Sequence, residues 1–203
     1  MNYFTILVAL AVVLGSLTVH EMAHAWTADR LGDPTARLLG RVSLNPLVHI
    51  DPLGTVVLPL IAAASGLPII GWAKPVPVNA SRLGEPRRDF MLVAAAGPAS
   101  NLVLATAASI VLRVAGGMQA TRSVDVLMQV LTINVLLAVF NMVPVPPLDG
   151  GNVLAGLLPR QAASFFVMLR PYGFLVLYAL MFTGALSAIV VPPAAFLIGL
   201  LLP

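Results

Sequence analysis

Residues 4–27 form an apolar run, and near its end stands His20-Glu21-Met22-Ala23-His24. About 20 apolar residues in helix are enough to cross a bilayer. A charged side chain at the middle of such a helix costs roughly 2.5–3.5 kcal/mol or more. One acid and two imidazoles within five residues therefore need a reason to be there. Histidines four apart lie on one face of a helix. The pattern H-E-x-x-H on a helix is a zinc site whose glutamate can serve as general base.

The rest of the chain keeps to the same solvent. It is 59% hydrophobic and only 9% charged, where a soluble domain carries about a quarter charged residues. We read an integral membrane protein in contact with a lipid bilayer. The net charge of +3 reflects few acids, and the basic residues are scattered, so no nucleic-acid partner is expected. Cysteine is absent, which leaves His, Asp and Glu as the only metal-ligating types. The search is short: His20, His24 and His49, two glutamates and six aspartates. The first apolar run has no basic segment before it and continues into the histidine motif, so it reads as a retained helix rather than a signal peptide.

The periodicity and breakers predict an all-α polytopic membrane protein with about five to six membrane segments. Helix-forming runs cover about 3–28, 90–114 and 124–143, a short piece at 152–158, and two apolar runs at 163–183 and 186–202. A small membrane-associated β element is expected near 40–44 and 72–79, where Val and Pro alternate as on an edge strand. We treat residues 1–203 as one domain, with a catalytic core at about 3–158 and C-terminal helices at about 163–202. Arg30, Arg37 and Arg41 follow the first helix, and cytoplasmic ends carry excess Lys and Arg. The histidines are thus expected toward the cytoplasmic side. Residues 54–70 are interrupted by Pro59, Gly66 and Pro68. If they are re-entrant rather than spanning, the helix at 124–143 ends on the same side as the histidines.

A hydrolytic zinc site uses three protein ligands and leaves one position for water. The third ligand must be another histidine or a carboxylate, and Asp149 is the best candidate. It follows Pro144-Val145-Pro146-Pro147-Leu148 and precedes Gly150-Gly151. The prolines unwind the backbone, and non-helical backbone at membrane depth is tolerated when it lines a water cavity or is buried in protein. Alone, Pro-Pro-Leu-Asp-Gly is ordinary turn chemistry. Glu21 is then placed to take and return a proton. Asn141 and Asn101 are candidates for steadying the substrate or its oxyanion, although an interhelical hydrogen bond explains Asn101 equally. His49 sits in loop-like surroundings and reads as a hydrogen-bonding residue behind the ligands.

These pieces together resemble the site-2 protease family of intramembrane zinc metalloproteases. The likeness is carried by His20-Glu21-Met22-Ala23-His24, by Ala96-Gly97-Pro98-Ala99-Ser100-Asn101, and by Asn141 through Gly151. Leu44-Asn45-Pro46-Leu47-Val48-His49-Ile50-Asp51-Pro52-Leu53-Gly54 and Gly71-Trp72-Ala73-Lys74-Pro75-Val76-Pro77-Val78 resemble its compact bacterial and archaeal branch. The resemblance spans about residues 15–155. It implies one zinc ion per chain on His20, His24 and Asp149, with Glu21 as catalytic acid and base. It further implies cleavage of a peptide bond in or near a transmembrane segment, in a prokaryotic cell membrane. The chain shows no PDZ or CBS domain, and no transmembrane helix is expected before the zinc-motif helix. The rival reading is an ion or proton transporter using the same His/Glu/Asp cluster. A transporter would show paired broken helices in two related halves, and only one such break is present.

Overall fold

The computed structural model describes residues 3–66, 71–115 and 121–202. Parts of two expected segments, at 67–70 and 116–120, lie outside it.

Helix α1, Tyr3–Arg30, carries the histidine motif in its last third. It stops at Gly32, whose φ of +108° only glycine adopts without strain. Gly32 N–H donates to the Asp29 carbonyl at 3.3 Å and Asp33 N–H to the Ala28 carbonyl at 2.9 Å, the paired bonds that close a helix through a left-handed residue. After α2, Thr35–Leu38, the chain is tied back by Asp33. Its carboxylate accepts from the Thr35 N–H at 3.1 Å and the Asn79 N–H at 2.6 Å. Burial pushes the Asp33 carboxyl up, but the bonds from Thr35 and Asn79 outweigh it and hold the group below the usual carboxylate range.

A 3₁₀ turn at Pro46–Val48 and a π-helical turn at Pro52–Val57 lead into α3, Leu58–Ser65. Asp51 caps the π turn by accepting from Leu53 and Gly54 N–H at 2.9 and 2.8 Å. Gly66, at φ +68°, ends α3. Residues 52–65 are too few for a span of about 20, in keeping with the re-entrant reading. The chain returns through Trp72, whose N–H donates to the Gly54 carbonyl at 3.1 Å, and Lys74, whose N–H donates to the His49 carbonyl at 2.8 Å.

The expected β element is corrected here. Among the described residues there is no strand, at 40–44, at 72–79 or elsewhere. Pro75 and Pro77 supply no N–H, and the backbone bonds of Trp72 and Lys74 go singly to loop carbonyls. No ladder can start from such a pattern.

Helix α4, Pro86–Val114, is the central element and packs against α1, α5 (Arg122–Asn141) and α6 (Asp149–Leu157). Pro86 is its first residue, and the Asp89 carboxylate accepts the Glu85 N–H at 2.7 Å. Then come α7, Arg160–Leu169, a 3₁₀ turn, α8, Gly173–Phe182, and α9, Ala185–Leu201. Alanines allow close contact between spans: Ala105 and Ala108 of α4 meet Leu131 and Val135 of α5 and Ala194 of α9. A second core joins Val143 and Leu148 to Leu177, Leu186 and Val190 of α8 and α9.

Three described helices, α1, α4 and α5, are long and apolar enough to cross a membrane, or four spans if the pair Arg170–Phe182 and Ala185–Leu201, bent by 79°, counts as one. The five to six membrane segments expected from sequence are not confirmed among the described residues. Arg170-Pro171 and the left-handed Gly184 (φ +75°) cut the C-terminal apolar runs into helices of 10, 10 and 17 residues. Leu7, Leu10, Val103 and Ile110 point outward from the long helices, as lipid-facing side chains do.

Candidate metal centre

The four-residue spacing on α1 puts both imidazoles on the face that meets α4. His20 and His24 are buried, with ring centroids 4.7 Å apart and planes nearly perpendicular. What lets them in is Gly97 of α4. A Cβ there would stand 2.4 Å from His24 Nε2 and 2.5 Å from His20 Nε2. No side chain of any size fits between those rings and the α4 backbone.

The third group arrives from a break in the helical chain. Helix α5 ends at Asn141, and residues 142–148 fold through short turns: Val145 N–H bonds to the Val143 carbonyl at 2.8 Å, Leu148 N–H to the Val145 carbonyl at 2.9 Å. Asp149 then opens α6, where the helix dipole favours an anion. Gly150 permits the fold-back, since a Cβ would lie 2.2 Å from the Met142 carbonyl oxygen. Asp149 Oδ2 sits 3.0 Å from His20 Nε2 and 3.4 Å from His24 Nε2. One ligand atom from each of His20, His24 and Asp149 lies within 4.8 Å of the others.

The far nitrogen of each ring is also held. His24 Nδ1 lies 2.6 Å from the Val93 carbonyl oxygen, and His20 Nδ1 lies 2.6 Å from Asn101 Oδ1. Both acceptors require the proton on Nδ1, so Nε2, on the Asp149 side, is the nitrogen each ring can offer to a metal. Behind Asn101, its amide nitrogen donates to Asn134 Oδ1 at 2.8 Å, and Asn134 Nδ2 donates to Ser16 Oγ at 2.9 Å.

The family resemblance can now be tested on the whole chain. The model of Peptidase family M50 matches residues 114–184. "Putative zinc metalloprotease YwhC" of Bacillus subtilis is 38% identical over 184 residues, covering 87% of this chain and 81% of that protein. "Putative zinc metalloprotease Rip2" of Mycolicibacterium smegmatis is 32% identical over 175 residues, 86% of this chain and 66% of the relative. The chain belongs to peptidase family M50. No solved structure matched it. As an M50 member the chain is a protease, and the transporter reading is not favoured.

Within this M50 chain the structure gathers His20, His24 and Asp149, with Glu21 half-buried on α1 between the histidines. His49 is buried, with Nε2 on the Ser43 carbonyl at 2.8 Å. Arg41, also buried, donates to the Lys74 carbonyl. Asn101 stands behind His20, fully enclosed by protein. Asn141 donates to the Leu137 carbonyl one turn back in α5 at 2.9 Å, and no described contact joins it to the three clustered groups. Ser16, Asn134 and the Val93 carbonyl were not singled out from sequence. Ser16 carries a usable signal, because Ser16, His20 and His24 share one face at four-residue spacing. Asn134 is one of three amides in α5, with Gln129 and Asn141, and its partner cannot be read from spacing.

Proposed function

We propose that this chain is an intramembrane zinc endopeptidase that hydrolyses peptide bonds in or near transmembrane segments of membrane proteins. The observation that carries the reading is the convergence of two imidazole Nε2 atoms, from a helix long enough to cross a bilayer, with one carboxylate oxygen from the start of α6. Donor type and spacing fit zinc. Ligands bound at ~2.0–2.1 Å in a tetrahedron stand roughly 3.3 Å apart, and the Asp149 separations of 3.0 and 3.4 Å bracket that value. The relatives named as zinc metalloproteases support the same choice.

When bound, zinc supplies a Lewis acid for the scissile carbonyl and lowers the pKa of water toward about 7. The chain's own residues do the rest. His20, His24 and Asp149 hold the ion. Asn101 and the Val93 carbonyl fix the rings. Glu21 takes a proton from the attacking water and hands it to the leaving amine. His49, held on the Ser43 carbonyl, and Arg41, held on the Lys74 carbonyl, brace the loop that follows the histidine helix. Asn141, at the lip of the broken segment, is assigned to the substrate. Residues 3–158 form the catalytic core of a single domain, and the C-terminal helices buttress the Asp149 loop through Leu177, Leu186 and Val190.

We place the site toward the cytoplasmic face of a prokaryotic cell membrane. Nine of the eleven Lys and Arg fall within 30–88 and 160–170. Arg170 reaches the first turns of α4 and α6, lying 5.9 Å over the Phe90 ring and bonding Asn152 at 2.8 Å. A cationic end of this kind faces the cytoplasm.

The test is purification in detergent or nanodiscs, zinc analysis, and cleavage of a transmembrane peptide by wild type and Glu21→Gln. One zinc per chain in both proteins, with cleavage lost only in the variant, is the expected result. Zinc-free wild type, or cleavage that survives the substitution, defeats the proposal.

A further inference from the structure

Asn134 touches no ligand, yet every hydrogen-bond polarity between α5 and His20 starts from it. We infer that Asn134 is a positioning residue: through Asn101 it decides which nitrogen of His20 carries the proton, and so which nitrogen is offered to a metal. The inference rests on the metal-centre reading above.

The series of bonds starts at an atom with no choice. The Val130 carbonyl oxygen can only accept, and the Asn134 amide lies 2.8 Å from it. That contact is therefore made by the NH₂ group, whose other N–H reaches Ser16 Oγ at 2.9 Å. Both donors are spent within α5 and toward α1, so Asn134 Oδ1 must face α4. There it accepts from Asn101 Nδ2 at 2.8 Å. The second Asn101 N–H points to the Ser16 carbonyl at 3.5 Å. Asn101 Oδ1 is then left for His20 Nδ1, 2.6 Å away. An amide oxygen only accepts, so Nδ1 must donate, and Nε2 is the nitrogen left to be offered to a metal.

Reversing any amide in this series sets two donors or two acceptors face to face. The setting makes that expensive, because Asn101 and Asn134 are both 0% exposed and no water can repair a mismatch. Three helices, α1, α4 and α5, thus agree on one tautomer.

His24 has no such dependence. Its Nδ1 is held by a backbone carbonyl, that of Val93, which no side-chain substitution at 134 alters. It is a control inside the same site.

The experiment uses the full-length zinc-loaded protein with ¹⁵N-labelled histidine and compares wild type with Asn134→Leu. In wild type, both His20 and His24 should show slowly exchanging Nδ1–H protons. In the variant the His20 signal should move or disappear while that of His24 stays. Zinc affinity, measured by chelator competition, should fall roughly 10- to 100-fold, as it does when a ligand's outer partner is removed. A His20 signal and zinc affinity both unchanged would overturn the inference. So would equal disturbance of both histidines, which marks a purely structural role. The wild-type spectrum decides even where the variant fails to fold, since a His20 Nδ1 without its proton refutes the series outright. Wild type that binds no zinc fails the metal-centre reading itself, a result distinct from zinc-bound protein with the wrong tautomer.

Discussion

The two halves of the metal centre are built by opposite means. His20 and His24 come from an uninterrupted helix, where four-residue spacing alone aligns them. Asp149 comes from chain that stops being helical after Asn141, turns through residues 142–148 and starts again. The helical half needs one concession from its neighbour, the bare backbone at Gly97. The turn half needs several. Gly150 must pass the Met142 carbonyl, and Gly173 of α8 must pass the Pro146 carbonyl, where a Cβ would sit 2.3 Å away. Val143 and Leu148 must also be packed by α8 and α9. Local geometry sets one half and tertiary packing sets the other.

Removing the contribution of the turn half entirely should have the largest effect. Asp149→Ala is expected to bring cleavage to background and zinc below one per chain, read by a peptide assay and metal analysis. Retained stoichiometric zinc would mean that the two histidines suffice and that the comparison is false.

Next come the two glycines, one from each half. Gly97→Ala and Gly150→Ala each force a Cβ to within 2.5 Å of another group, and where that group cannot move such overpacking costs about 1–3 kcal/mol. The outcomes should differ in kind. Gly97→Ala should disturb both histidine signals and weaken zinc binding while the melting temperature changes little, because the imidazoles can swing away. Gly150→Ala meets backbone, which cannot swing, and should lower thermal stability as well. Equal melting temperatures for the two variants would erase the distinction.

The smallest expected effect lies beyond the helical half, at Asp33. Its folded-state pKa is held below the unfolded value. Its contribution is therefore complete above the ordinary carboxylate range and is lost as pH falls through the folded value. The melting-temperature gap between wild type and Asp33→Asn should be open at pH 7 and narrow below about pH 4. A gap independent of pH would show that the carboxylate's charge plays no part in closing the end of α1.

The same division explains what the sequence made legible. The long helices were readable because apolar length and breakers fix them, and so was the grouping of His20, His24 and Asp149, since few ligating residues occur at all. The β element was not, because Val76 and Val78 looked like strand residues while Pro75 and Pro77 decided the outcome. The count of spans departs at Arg170-Pro171, which splits the expected run 163–183 between two helices of 10 residues, each too short to cross. Asn101 was visible as an amide in a span, but its service to His20 depends on Asn134, 33 residues on. That pairing exists only once α4 and α5 have packed.

Pro98 sits within α4, next to Gly97. It has no N–H, so the carbonyl one turn back at Ala94 receives no helical bond from it. The neighbouring Val93 carbonyl faces Gly97 in the helix, which does have an N–H, and a carbonyl oxygen carries two lone pairs. It can therefore accept from His24 Nδ1 without leaving its own helix. A main-chain atom shared in this way grips the ring beyond the reach of any side-chain substitution.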